Sequence, residues 1–205
     1  HVAVRRQRQM CIRDRSWESG TTAGTAVAEV LFGDVNPGGK LPLTFPRSVG
    51  QLQMIYNHKP SQYFHKYAFE KVTPLYPFGH GLSYSNFEYS QFIVNEVIDD
   101  KISISVNVTN KSDLDGEEVV QLYFRDSYSS VTRPVKELVR YKRVMIASGE
   151  TVTIDFEVDV QDLAFYDINM NLCVEMGEFE FMVGGSSDDK QLMNETVDIK
   201  KRYDY

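Results

Sequence analysis

The clearest structural signal in this chain is a strict alternation of apolar and polar side chains in its second half. In Lys101–Val108 every second residue is Ile or Val, and the residues between them are Lys, Ser or Asn. The same pattern returns in Thr151–Val158 and in Glu178–Val183. Successive side chains of a β-strand point to opposite faces of the sheet, so this period of two predicts strands with one buried face.

Further strands are predicted around these three. The apolar or strand-like runs are Phe87–Val97, Val119–Phe124, Leu138–Ile146, Asn171–Glu175 and Thr196–Ile199. Turn-forming residues separate the strands at Asp113–Gly116, Ser148–Gly149 and Met176–Gly177. About seven short strands within residues 83–205 predict an antiparallel β-sandwich of the immunoglobulin or fibronectin III type. The Cys…Trp…Cys spacing of true immunoglobulin domains is absent.

One amphipathic helix is predicted before the β region. The apolar residues of Ala23–Leu31 recur at positions i, i+3, i+4, i+7 and i+8, which places them on one face of a helix. Thr21 or Thr22 is a suitable N-cap, and Gly33 is a suitable residue to end the helix. A turn rich in Pro and Gly follows, and after it comes the short apolar strand Leu41–Phe45.

Helix, turn and strand in this order indicate the end of an α/β layer, so residues 16–46 are assigned to the C-terminal remnant of an α/β sandwich domain. One helix and one strand cannot bury an α/β core alone, so this piece is expected either to pack on the following domain or to lack its parent domain. Residues 47–82 contain seven large aromatic rings, too many for a flexible linker, and are predicted to form an ordered connector. With a fibronectin III-like domain at 83–205, the predicted fold class is mainly β.

Residues 1–15 differ from the rest of the chain in charge and pattern. Five arginines stand against one aspartate, a net charge of +4, whereas residues 16–205 carry −11. The segment has no helical or strand period and resembles translated sequencing-adapter read-through, so we interpret it as foreign to the fold. No apolar stretch follows the arginines as in a signal peptide, and the first residue is not Met, so a truncated N-terminus is expected. The alternative is a basic arm that binds an anionic partner.

Composition argues against several classes of function. The net charge of −7 argues against a nucleic-acid binder, since such proteins present a basic face. No run of 18 apolar residues occurs, so no membrane span is predicted. Cys11 and Cys173 are too few for a disulfide framework or a zinc cluster, and Cys173 is expected to be a small buried apolar residue. None of the four histidines stands in a metal-binding spacing, and we predict neither a metal nor a cofactor.

Three short segments look like binding loops but fail in detail. Gly33–Lys40 lacks the Ser or Thr of a phosphate-binding loop and follows a helix instead of a strand. Gly79–Gly81 begins like a dinucleotide fingerprint, but Tyr84 stands where the third glycine belongs. Asp113–Glu117 lacks the later ligands of a calcium loop. The first and the third are predicted to be structural turns.

Several ordered motifs resemble glycoside hydrolase family 3. The run from Ala23-Gly24-Thr25 through Asn36-Pro37-Gly38-Gly39-Lys40-Leu41-Pro42 to Phe45-Pro46 is similar to the end of that family's α/β sandwich domain. The run Pro74-Leu75-Tyr76-Pro77-Phe78-Gly79-His80-Gly81 resembles the entry into its C-terminal fibronectin III-like domain. Further similar segments are Tyr56–Pro60, Glu117–Tyr123, Pro134–Leu138 and Phe165–Asp167. The resemblance covers nearly everything from residue 17 to the end and is specific because the motifs follow in the correct order.

The resemblance implies a site that lies elsewhere. Family members of the β-glucosidase and β-xylosidase type are retaining enzymes, with an Asp nucleophile from an N-terminal barrel and a Glu acid/base from the α/β sandwich. Both motifs lie upstream of the matching segment, so no catalytic residue is assigned to this chain, and substrate-binding residues stay unknown. Retaining chemistry requires two carboxyls about 5 Å apart, and no pair stands out by spacing among the 29 acidic residues. The chain alone is expected to be inactive.

The stretch before the helix departs from the family pattern. Ser16–Thr22 stands where the family often has a Pro-Gly-Gln-Glu-Gly-Gly-like run. Trp17 is either a residue near the sugar-binding cleft, since rings stack on sugars, or a packing residue, which we favour. Glu18 does not match the position of the family's acid/base and receives no role.

The sequence thus predicts the C-terminal fragment of a β-glycosidase, in which the fibronectin III-like domain is a scaffold that packs on catalytic domains absent from this chain. β-Linked glucosides or oligosaccharides are the implied substrates of the full-length protein, and the periplasm or secretion its implied location. The alternative is a carbohydrate-binding or adhesive module, which would expose a row of aromatic rings. Phe156, Phe179 and Phe181 alternate inward, which favours a scaffold.

Overall fold

The computed structural model describes residues 20–51, 53–60 and 71–205. The chain divides into two compact units, residues 1–37 and residues 38–205. The segment 1–15, Trp17 and Glu18 lie outside the described residues. In the described part, no helix combines the length and the apolar character that crossing a membrane requires.

The described part of the first unit contains helix α1, Ala23–Phe32. The helix ends at Gly33 as predicted, and the left-handed backbone of that glycine (φ 88°) directs its N–H to the carbonyl oxygen of Glu29. Thr22 occupies the N-cap position, but its side chain makes no capping hydrogen bond. No residue of α1 is buried, so the helix forms where the period predicts while its apolar stripe stays accessible to solvent.

The described part of the second unit contains ten strands. They are β1 (Phe87–Val94), β2 (Lys101–Asn110), β3 (Gly116–Asp126), β4 (Glu137–Ile146), β5 (Thr151–Asp159), β6 (Phe165–Tyr166), β7 (Leu172–Val174), β8 (Gly177–Gly184), β9 (Met193–Ile199) and β10 (Tyr203–Asp204). One sheet has the order β1-β2-β5, a second β4-β3-β8-β9 and a small third β10-β7-β6. All strand pairs are antiparallel, so the mainly β sandwich that the alternation predicts is confirmed.

The core of the sandwich lies between the two larger sheets. In β2 the four predicted inward residues are at most 2% exposed, and Phe156, Phe179 and Phe181 are at most 5% exposed. Burying one side chain of this kind contributes about 1.5–3 kcal/mol, so the alternating positions supply much of the driving force for folding. Cys173 is buried as predicted, beside this core on β7.

Some boundaries differ from the predictions. Strand β1 ends at Val94, and its ladder with β2 contains a bulge between Ser90 and Ile93, where Gln91 adopts a left-handed backbone (φ 50°). Strand β9 begins earlier than predicted, at Met193. Strands β6 and β10 were not predicted, because two residues are too few to show any period.

The predicted strand Leu41–Phe45 is reduced to a single bridge between Phe45 and Tyr76. Next to this bridge, the N–H of Leu41 donates a hydrogen bond to the carbonyl oxygen of His80 at 2.8 Å. Prolines interrupt both sides of this pairing and lack the N–H that a continuous ladder needs. Residues 38–46 therefore pair with the end of the connector inside the second unit.

Candidate functional site

The described residues between 38 and 82 lie against the sandwich, and we call this contact the connector interface. Several polar side chains are buried along it, among them Glu118 and Gln121 of β3 and Lys136 before β4. Burying a polar group costs free energy unless it is hydrogen-bonded, so the partners of these groups define how the interface is built.

An ionic cluster marks one part of the connector interface. Lys40, from the turn after α1, donates to both carboxylate oxygens of Glu118 at 3.0 and 3.2 Å. The hydroxyl of Tyr89 on β1 donates to Oε1 of Glu118 at 2.8 Å. The side chains of Lys40 and Glu118 are 17% and 5% exposed. Burial, and then the negative charge of Glu118, raises the pKa of Tyr89 well above its ordinary value, so the hydroxyl stays protonated as a donor.

A glycine lets the backbone pass close to this cluster. A Cβ atom added at Gly185 would lie 2.4 Å from Oε1 of Glu118. That distance is far below van der Waals contact, so a side chain at position 185 would displace the carboxylate from Lys40 and Tyr89. The ionic cluster therefore requires glycine at position 185, directly after β8.

A second polar group, Gln121, joins the connector to β3 and to the segment after β8. Its Nε2 donates to the carbonyl oxygen of Gly185 at 2.6 Å and to that of Gly79 at 3.3 Å. Its Oε1 accepts from the hydroxyl of Tyr123 at 2.6 Å. Gly79 has a left-handed backbone (φ 75°), and a Cβ there would lie 2.0 Å from Oε1 of Gln121. Gly79 is thus part of a turn that lies against the buried amide of Gln121.

Aromatic rings continue the connector interface. The ring of Tyr56 stacks on Phe78 with centroids 4.3 Å apart, and meets the edge of Tyr123 at 5.9 Å. The hydroxyl of Tyr56 accepts the N–H of Leu138 at 3.3 Å. In the described parts of this stretch, these rings therefore lie against β3 and the start of β4.

The loop between β3 and β4 completes the interface through its backbone. The N–H of Val135 donates to the carbonyl oxygen of His58 at 3.0 Å, and Lys59 donates to the carbonyl oxygen of Thr132. On the other side of the loop, the ammonium of Lys136 donates to the carbonyl oxygen of Ser187 at 3.0 Å. The loop is therefore bound to the connector on one side and to the segment after β8 on the other.

Three carboxyl groups are buried among the described residues, and each has a cationic neighbour. Glu118 faces Lys40 as described above. Burial raises the pKa of Asp126, and the positive charge of Arg133 partly opposes that shift. The hydrogen bond from Arg202, followed by the N–H of Asn171, lowers the pKa of Asp167 to about 2. These environments serve to fasten segments together rather than to transfer protons.

The remaining candidates from the sequence occupy structural positions. Asp115 accepts the N–H of Ser148 at 2.8 Å, so the Asp113–Glu117 segment is a turn tied to the next hairpin. Burial raises the pKa of the Cys173 thiol, which keeps it neutral. Across residues 20–51, 53–60 and 71–205, no group of three His, Cys, Asp or Glu side chains is arranged to hold a metal ion.

Sequence reasoning did not find the residues of the ionic cluster. Lys40 and Glu118 are 78 positions apart, and no local motif joins them. One signal was present: Glu118 falls in phase with the buried residues Val120 and Leu122, so a charged side chain occupies an inward position of a strand. An inward charge requires a partner, although the sequence does not reveal which one.

Comparison with known proteins agrees with this architecture. Residues 15–84 match the profile of the glycosyl hydrolase family 3 C-terminal domain, and residues 118–187 match that of the fibronectin type III-like domain. A periplasmic beta-glucosidase of Salmonella typhimurium is 40% identical over 185 residues, which cover 84% of this chain and 24% of that protein. A beta-xylosidase of Formosa agariphila is 40% identical over 191 residues, 90% of this chain and 26% of that protein.

Solved structures agree as well. A beta-glucosidase from Listeria innocua in complex with glucose superposes with a TM-score of 0.82 at 34% identity, over 90% of this chain and 27% of that chain. A mutant of the same enzyme in complex with laminaribiose gives a TM-score of 0.81 at 34% identity, over 89% of this chain and 27% of that chain. This chain spans about a quarter of the length of the curated relatives it matches.

The fold and the connector interface define a fibronectin III-like sandwich to which the described residues between 38 and 82 are fastened. The chain belongs to glycoside hydrolase family 3 and corresponds to the C-terminal part of such an enzyme.

Proposed function

We propose that this chain braces the catalytic domains of a retaining β-glycosidase and is not catalytic by itself. The connector interface is the observation that carries this proposal. It fastens the described residues between 38 and 82 to the sandwich through the Lys40–Glu118 pair, the Gln121 amide and the Tyr56 ring. Such buried and directional contacts fix one element rigidly on another, which is what a brace requires.

The environment of the acidic residues supports a role without catalysis. Retaining hydrolysis needs two carboxyl groups about 5 Å apart, one ready to give up a proton and the other ionised. The buried carboxyls of the described residues, Glu118, Asp126 and Asp167, each lie near a cationic side chain. The proposed nucleophile Asp and acid/base Glu belong to domains upstream of this segment.

Exposed apolar residues mark where those domains would pack. Leu43, Val49, Ile55 and Leu75 of the second unit are all exposed, and Val49 is 80% exposed. Exposed apolar side chains such as these are typical of a surface that another domain covers.

We propose the domain boundaries 16–46 for the α/β remnant, 47–82 for the connector and 83–205 for the fibronectin III-like domain, with 1–15 foreign to the fold.

The names of the relatives support the substrate class and the compartment. They include beta-glucosidases and a beta-xylosidase, so we propose terminal β-D-glucosides or related β-linked oligosaccharides as substrates of the longer protein. The periplasmic relative supports export of that protein to the periplasm or the medium.

A hydrolysis assay tests the proposal. The purified 205-residue chain is expected to release no nitrophenol from p-nitrophenyl β-D-glucoside above the buffer rate, because the paired carboxyls are missing. The protein encoded by the longer reading frame is expected to hydrolyse the same compound, and its upstream part is expected to encode a barrel and the rest of the α/β domain.

A truncation separates the bracing role from the catalytic one. The longer protein without residues 83–205 is expected to lose heat stability and activity together, while the Glu195→Gln variant, altered on the exposed side of β9, keeps both. Turnover by the 205-residue chain, or an unchanged thermal midpoint after the truncation, would contradict the proposal.

A further inference from the structure

The small third sheet carries an open cleft of about 610 Å³. Its lining residues are Tyr166, Met170, Asn171, Leu172, Asp204 and Tyr205. The connector interface uses none of these side chains. The cleft combines exposed aromatic rings with a carboxylate and an amide, which is an unusual composition for a surface without a ligand.

Two tyrosines stand in one row across the cleft. Tyr166 of β6 pairs with Leu172 of β7, and the N–H of Tyr205 donates to the carbonyl oxygen of Leu172 at 2.9 Å. Opposed residues of neighbouring antiparallel strands project to the same face, so Tyr166, Leu172 and Tyr205 lie side by side on one face of this sheet. The ring of Tyr205 also stacks on that of Tyr203, with centroids 6.5 Å apart. The two tyrosines are 59% and 49% exposed.

Hydrogen bonds hold the walls of the cleft in place. The carboxylate of Asp167 accepts the N–H groups of Asn169 and Asn171 at 2.9 and 3.0 Å, which shapes the turn between β6 and β7. Arg202 donates to Asp167 at 2.7 Å and to Asp204 at 2.7 Å, and so ties this turn to β10. A cleft formed in advance loses less conformational entropy when a ligand binds.

The chemistry of the lining selects the ligand class. A sugar ring has an apolar C–H face that packs on a tyrosine ring, and hydroxyl groups that pair with a carboxylate and an amide. An anionic ligand would meet the Asp204 carboxylate, which already accepts a hydrogen bond from Arg202 and can accept another from a ligand hydroxyl. An apolar peptide would offer the Asn171 amide no hydrogen-bond partner.

We propose that this cleft is an accessory binding site for β-linked oligosaccharides. The choice of ligand class rests on the proposed function. The site would hold a substrate chain on the bracing domain while the catalytic domains act on its end, which raises the local concentration of that end.

A titration of the 205-residue chain with cellotetraose, followed by NMR, tests the site. Chemical-shift changes are expected to be confined to residues 166–172 and 203–205. Tyr166→Ala and Tyr205→Ala are each expected to weaken association by about tenfold, through loss of ring packing. Tyr141→Ala is the matched control, because Tyr141 is an exposed tyrosine of β4 outside the cleft lining, and it is expected to leave binding unchanged.

Three outcomes overturn this inference: no binding of cellotetraose, binding that both cleft variants retain, or equal binding of the α-linked maltotetraose. None of these outcomes would contradict the bracing role, which the hydrolysis and truncation experiments test separately.

Discussion

Asp167 holds together the turn between β6 and β7. One oxygen of its carboxylate accepts two backbone N–H groups, and the other accepts the guanidinium of Arg202. These donors favour the ionised form, and the Arg202 hydrogen bond is the largest contribution. The pKa of Asp167 therefore falls from its ordinary value of 3.8 to about 2 in the folded chain.

The lowered pKa predicts a specific loss of stability in acid. Above the unfolded pKa of 3.8 the ionised Asp167 stabilises the fold, and this contribution disappears as the pH falls from about 4 towards 2. In the Asp167→Asn variant the unfolding free energy is expected to fall less steeply with decreasing pH in that window. The change in slope corresponds to at most about one bound proton. Urea titrations at a series of pH values measure it.

The matched control for Asp167 is Glu195→Gln, which removes a carboxyl from the exposed side of β9. It is expected to follow the parent chain through the same window. If Asp167→Asn kept the full acid dependence of the parent, the assigned hydrogen bonds would not be the source of the lowered pKa.

At the scale of the element, the connector is bound by polar groups as much as by apolar packing. The Lys40–Glu118 pair is largely buried, whereas a pair such as Lys200–Glu96 is open to solvent. Removing one member of a buried pair leaves the other charge without compensation, while an exposed pair contributes little. The two pairs therefore differ in what they do for the fold.

The contrast between these pairs gives a second prediction. Lys40→Met is expected to lower the free energy of unfolding by about 3 kcal/mol, because Glu118 stays buried without its cation. Lys200→Met, the control, is expected to change it by less than about 1 kcal/mol. Chemical denaturation of both variants measures the difference.

A double variant tests whether the uncompensated charge of Glu118 causes the loss of stability in Lys40→Met. Lys40→Met with Glu118→Leu removes both charges, and it is expected to recover most of the stability lost in the single variant. Equal losses in the single and double variants would mean that packing, and not the buried charge, holds the connector on the sandwich.

At the scale of the whole molecule, the two compact units differ in how well they bury their own apolar residues. The sandwich encloses a continuous core of strand residues. Helix α1 has ten residues, and none of them is buried. Isolated helices of this length are marginal in water, so the stability of α1 depends on a covering surface.

Hydrogen exchange tests this difference. In the 205-residue chain the amides of α1 are expected to exchange within seconds, whereas those of β2 and β3 are expected to stay protected longest. In the longer protein the α1 amides are expected to become protected, because the catalytic domains cover the apolar stripe. Protection of α1 equal to that of β2 in the 205-residue chain would contradict the proposed packing.

Local pattern was sufficient for the β architecture. Ile102, Ile104 and their neighbours alternate without a fault, and a period of two has only one interpretation when half of the residues are apolar. The end of α1 at Gly33 was equally predictable, since a helix C-terminus favours a residue that tolerates a left-handed backbone. These features depend on neighbours a few positions apart, and the amino-acid order alone expresses them.

Contacts between distant positions could not be found in that way. Lys40 contacts Glu118 across 78 positions. The cleft brings together Tyr166 of β6, Leu172 of β7 and Tyr205, which follows β10, and both β6 and β10 are too short to show a period. Side chains such as these meet only after the sheets have formed and the chain has folded back on itself. The amino-acid order fixes which strands form, and the packing of those strands determines which polar groups become partners and which rings stay exposed.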